Sequence, residues 1–162
     1  MLLFVQIALC LFLGIVLWQD LKDRAVHWVF FLGVCAAASY LFYVSNLPIQ
    51  VLVVNFIFLA LLMAGLGAYL FLKEGRLFNF FKTHFGIGDL VFFIAIAPLF
   101  EPQKFVLFFI SGMVLSGLFH FIISRKKENS TIPLAGYLSG YLILLIGLKL
   151  LGITEPFYTS IL

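Results

Sequence analysis

The chain has 162 residues, of which 64% are hydrophobic, 18% aromatic and only 10% charged, with a mean hydropathy of +1.20. A soluble domain carries about 25% charged residues because it needs polar groups to cover its surface, so this composition excludes an ordinary water-soluble fold. The net charge of +3 is small and scattered; it gives no ground for nucleic acid as a partner and leaves the basic residues as topology signals.

A helix needs about 20 apolar residues, and about 17 at the least, to cross a hydrocarbon core roughly 30 Å thick, and in lipid only helices and closed barrels satisfy their own backbone. The apolar runs therefore predict an all-α polytopic membrane protein, one domain over residues 1–162 built as a bundle of about six transmembrane helices with lipid as its surroundings. The first run, from about Met1 to Trp18, has no basic segment before it, and Trp18-Gln19-Asp20 follows in place of a small-x-small cleavage site. It is expected to be a retained span and not a signal peptide. The second covers about Trp28 to Val44, and Ser45-Asn46-Leu47-Pro48 breaks it from the third, about Val51 to Leu72. The stretch from Lys73 to His84 carries Leu77, Phe78, Phe80 and Phe81, and is expected to lie along the membrane interface.

The fourth run, about Phe85 to Phe100, is the weakest. Its uninterrupted part, Leu90 to Phe100, has 11 residues, about 16 Å of helix at the standard rise. It reaches across only if its helix starts upstream near Gly86, which draws Asp89 below the membrane surface. Glu101-Pro102-Gln103 separates it from the fifth run, about Phe105 to Ile123. The sixth covers about Ile132 to Ile153, with Pro133 expected in its first turn.

The loops after runs one, three and five hold Lys22, Arg24, Lys73, Arg76, Lys82, Arg125, Lys126 and Lys127, against Lys104 and Lys149 on the other side. This asymmetry predicts that the three basic loops are cytoplasmic and both termini outside. Cys10 and Cys35 lie in apolar runs, without the spacing or histidine company of a zinc site, and are expected to be packing residues. The phenylalanines are expected to face lipid. His120 and Asn55 are expected to hydrogen-bond between helices, and Gly136 and Gly140 to let the sixth helix pack closely on a neighbour.

Of the seven acidic residues, five are explained as solvated loop charge: Asp23, Glu74, Glu101, Glu128 and Glu155. Asp20 ends the first apolar run, and Asp89 sits in Phe85-Gly86-Ile87-Gly88-Asp89-Leu90 against the fourth. Both fall on the cytoplasmic side. Each alone reads as an interfacial charge; together they read as a pair, because ionisable groups at the edge of a bilayer usually face the bundle interior. Two close carboxylates cannot both ionise readily and share a proton, so one serves as general base on a water while the other acts as acid. Asp20 is preferred to Asp23, its neighbour at i,i+3, because it lies nearer the apolar span. Gly86 and Gly88 lack a Cβ and are expected to admit an extended peptide beside Asp89. His84, five residues before Asp89, is read as a loop histidine or as a group that tunes Asp89.

Three stretches carry a family resemblance. Asp20-Leu21-Lys22-Asp23-Arg24-Ala25-Val26-His27-Trp28 is similar to a first aspartate followed by basic residues and an Ile-Pro-Asn-like tripeptide. Gly86-Ile87-Gly88-Asp89 matches a Gly-x-Gly-Asp motif in full, and Thr131-Ile132-Pro133-Leu134-Ala135-Gly136 is similar to an Ile-Pro-hydrophobic-Gly entry into a last helix. Together they resemble the type IV prepilin peptidases and archaeal preflagellin peptidases, intramembrane aspartyl proteases. The resemblance implies that Asp20 and Asp89 are catalytic and that no metal or organic cofactor takes part. It also implies that the substrate is a prepilin-like protein with a hydrophobic N-terminal helix, cut at the cytoplasmic face of the bacterial inner membrane. The chain departs from the family at His27-Trp28, which replace Pro-Asn, and at Val91, where many members carry lysine. It has no zinc-binding insertion with paired Cys-x-x-Cys motifs, and so resembles the short, peptidase-only members. Two other readings stay open: a small transporter or channel with Asp20 and Asp89 on an ion path, and a family member that binds prepilin helices without cutting them.

Overall fold

The structure, a computed structural model, describes residues 1–74, 86–123 and 133–151. The expected interfacial segment with His84, the Thr131-Ile132 part of the third motif, and the basic residues Arg76, Lys82, Arg125, Lys126 and Lys127 lie outside the described residues. Among the described residues the chain is all-α, with six helices and no strand. They are α1 (Leu2–Asp23), α2 (Trp28–Val44), α3 (Ile49–Glu74), α4 (Ile87–Ile96, followed by a 3-10 turn at Ala97–Leu99), α5 (Pro102–Ile123) and α6 (Leu134–Leu150). Three of them, α1, α3 and α5, are long and apolar enough to cross a membrane; the other three are shorter and apolar.

Two helix ends differ from the sequence reading in a way that matters for the site. Helix α1 does not stop near Trp18 but continues to Asp23, so Asp20 is a helical residue on the same rail as the apolar ones. It is stopped by Arg24, which adopts a left-handed backbone (φ 52°) and donates its N–H to the carbonyl of Asp20 at 3.1 Å, the usual way a helix end satisfies its last carbonyls. Pro133 is not in the first turn of α6 but immediately before it. It has neither an N–H nor a side chain that accepts a hydrogen bond, so α6 begins without a cap of its own.

Helices α1 and α6 pack antiparallel. A Cβ at Gly140 would make ordinary contact with Leu17 at 3.5 Å, and one at Gly136 would press on Asp20 at 3.0 Å. The two glycines therefore do let the helices approach closely, as expected. Helix α2 packs on α1 through Gly33, against which the Phe12 ring lies, and α5 packs on α6 through Gly112 and Leu138 and through a hydroxyl pair, Ser111 and Tyr141, at 3.2 Å.

The expectation that the phenylalanines face lipid fails for a central set. Phe31, Phe92, Phe93, Phe100, Phe105, Phe108 and Phe109 are buried. They interlock as tilted and edge-on rings, Phe93 on Phe109 at 4.9 Å and Phe31 on Phe92 at 6.4 Å, geometries that the ring quadrupole favours. The cause is α4. It is short, and its residues pack inward against α2 and α6 and, through Phe93, on Phe109 of α5, with Phe92, Phe93 and Ile96 wholly enclosed.

The end of α4 explains Asn55. A helix leaves its last carbonyls without intrahelical partners, and here the Asn55 side-chain amide, reaching from α3, donates to the carbonyls of Ala97 at 2.9 Å and Phe100 at 2.8 Å. Asn55 is 1% exposed, so it bridges helices as the sequence predicts. Asn55→Ala should lower stability by about 1–3 kcal/mol, because it removes two buried hydrogen bonds at once. The check is the unfolding midpoint in mild detergent; an unchanged midpoint would mean that these two bonds do not hold α3 to the end of α4.

Candidate active site

The buried residues of α1 are Gln6, Leu9, Leu13, Val16 and Asp20. Their alternating three- and four-residue spacing is one face of a helix, and Asp20 is its polar terminus. Its side chain is 8% exposed. Asp23 is three residues further along and exposed. The Arg24 guanidinium is within electrostatic reach of Asp20. The following turn is fixed by the His27 N–H, which donates to Gln19 Oε1 at 3.1 Å, and His27 then starts α2.

Asp89 comes from the opposite direction in sequence. It is the third residue of α4, whose preceding residue is Gly86. The Gly86 amide hydrogen-bonds to the Asp89 carboxylate, which is the reaching-back half of a capping box. A Cβ at Gly86 would stand 2.9 Å from Asp89 Oδ2, closer than two such atoms can sit. The space expected to admit a peptide at Gly86 is thus filled by Asp89 itself. At Gly88 a Cβ would meet nothing within 4 Å and the residue is exposed, so among the described residues nothing covers that side of the first turn of α4. Val91, in the position where lysine is common in the resembling family, packs half-buried against the core.

The two carboxylates meet at the start of α6. The Ala135 N–H donates to Asp89 Oδ1 at 2.9 Å, and the Gly136 N–H donates to Asp20 Oδ2 at 2.6 Å. Consecutive helical amide nitrogens are about 3 Å apart, so the two accepting oxygens are at most about 8.5 Å from each other. Two of the donors that a helix leaves unpaired in its first turn are thereby satisfied by side chains of two other helices. The positive end of the α6 dipole, together with that of α4 at Asp89, offsets the repulsion between the carboxylates.

The sequence-selected residues Asp20, Asp89 and Gly86 are thus gathered in one place, with Gly88 on the uncovered side of the first turn of α4. Ala135 and Gly136 were not foreseen as amide donors. The signal that points to them is a helix that begins after proline, with no side chain available to cap it. Among the described residues no three of His, Cys, Asp and Glu come together as a metal site. Cys10 and Cys35 are partly buried free thiols within α1 and α2. What the arrangement offers chemically is a pair of carboxylates with one oxygen each held by backbone. Comparison of the chain with protein-family models, with curated proteins and with solved structures gave no match.

Proposed function

We propose that this chain is an intramembrane aspartyl endopeptidase, with Asp20 and Asp89 as its catalytic pair, that removes the leader of prepilin-like or preflagellin-like substrates at the cytoplasmic face. The observation that carries the reading is that Asp20 and Asp89 come from helices far apart in sequence and accept hydrogen bonds from the neighbouring amides of Gly136 and Ala135. Gly86-Ile87-Gly88-Asp89 and the two flanking motifs support it. In the reaction one carboxylate takes a proton from water as the water oxygen attacks the scissile carbonyl carbon, while the other, protonated, gives its proton to the carbonyl oxygen. Collapse of the tetrahedral intermediate breaks the C–N bond, and the leaving amine receives the proton. The test is incubation of the protein in lipid with a prepilin-like substrate and mass analysis of the new N-terminus. Absence of any cut product would refute the proposal.

The same hydrogen bonds favour a second reading, in which the aspartates are structural caps for α6 and the protein binds a helix or passes an ion without cleaving anything. Asn caps a helix about as well as Asp does but cannot do acid–base work, so Asp→Asn variants separate the two readings.

We further propose six spans in a bacterial inner membrane, with both termini outside, from the distribution of the basic residues. Cysteines introduced beside Lys82 and Lys126 should be labelled only after the cytoplasmic side is opened. Labelling of both from outside intact cells would invert the orientation and move the aspartates to the other face.

A further inference from the structure

We infer that the first turn of α6 is the positioning element of the carboxylate pair, with Gly136 as its key residue; this rests on the reading of Asp20 and Asp89 as the catalytic pair. Neither aspartate is held in place by its own helix alone. Asp20 stands at the last turn of α1 and Asp89 in the first turn of α4, and the groups that bring their carboxylates to a common place are the amides of Ala135 and Gly136. Because these amides are consecutive in one helix, the separation between the two accepted oxygens is limited by α6, on which α1 and α4 both pack.

Gly136 is required for a second, independent reason. A Cβ there would sit 3.0 Å from Asp20 Oδ2 and 3.1 Å from Asp20 Cβ. The nearer atom is the end of a side chain, but the further one is fixed to the α1 backbone, so relief demands a shift of the Asp20 carboxylate away from the amide that holds it. One turn along, a Cβ at Gly140 would be 3.5 Å from the nearest atom of Leu17, an ordinary contact. The two glycines face the same helix, and only one constrains the site.

Two measurements on the full chain in lipid test this. Under turnover, Gly136→Ala should lower kcat about tenfold or more, since small displacements of a reacting group are that costly, with KM unchanged because Gly136 touches Asp20 and not substrate. Gly140→Ala should keep the wild-type kcat. In hydrogen exchange, the amides of Ala135 and Gly136 have no acceptor within their own helix and should nevertheless be protected. Asp89→Ala should release Ala135 alone, and Asp20→Ala should release Gly136 alone. Wild-type kcat in Gly136→Ala, or fast exchange of both amides in the unmutated protein, would overturn the inference. Failure of the peptidase reading itself would look different: cleavage would survive in Asp20→Asn and Asp89→Asn, whatever the exchange pattern.

Discussion

Replacing either Asp20 or Asp89 by Asn should abolish leader cleavage, by at least about 10²-fold, since a positioned acid or base contributes about 10²–10⁴ to a rate. The protein should still insert and accumulate. Asparagine has nearly the volume of aspartate and keeps a carbonyl oxygen that can accept the Gly136 N–H in place of Asp20 Oδ2, or the Ala135 N–H in place of Asp89 Oδ1. What it loses is the exchangeable carboxyl proton on which general acid–base catalysis depends. Asp23→Asn should retain most activity, because Asp23 is exposed and Asp20 is the aspartate that accepts the Gly136 N–H. The measurement is cleavage of a co-expressed prepilin-like substrate, read by gel mobility beside the level of the membrane protein. Activity surviving in Asp89→Asn would end the peptidase reading. Loss in Asp23→Asn with survival in Asp20→Asn would keep the reading and move its first residue.

The choice between Asp20 and Asp23 shows how far the sequence reaches. Proximity to the apolar run is the reason that the sequence offers for preferring Asp20. Gln6, Leu9, Leu13 and Val16 mark the buried face of α1, and the next step along it is Asp20. The sequence does not single out that face, because the run is apolar on every side of the helix. The location of Gly136 under Asp20 depends on two helices separated by more than a hundred residues, and no local pattern encodes it. The same contrast explains the phenylalanines. Composition assigns large apolar residues to lipid, but the shortness of α4 and its packing on α2, α5 and α6 turn its rings inward. Asn55 was legible because a polar side chain inside an apolar run needs a partner wherever it lies. Which carbonyls it serves, those of Ala97 and Phe100, follows from where α4 ends.

Alanine at the same two positions should produce a loss of a different kind. Asp20→Ala and Asp89→Ala remove the acceptor as well as the acid, leaving one amide of α6 without a partner. Pro133 cannot supply another, since α6 has no side-chain cap of its own. Loss of a cap costs about 0.5–2 kcal/mol, and the burial of Ala135 and Gly136 places the expected value in the upper part of that range. Each Ala variant should therefore unfold earlier than the matching Asn variant in detergent, while both lack cleavage. Asp89 also accepts the Gly86 amide at the start of α4, so its Ala variant loosens two helix starts and should be the less stable of the pair. If the aspartates were structural caps only, the order would change: Asn variants would keep whatever activity the protein has, and Ala variants would lose it in proportion to their stability. Equal unfolding midpoints for Ala and Asn at both positions would mean that the carboxylates do not hold α6.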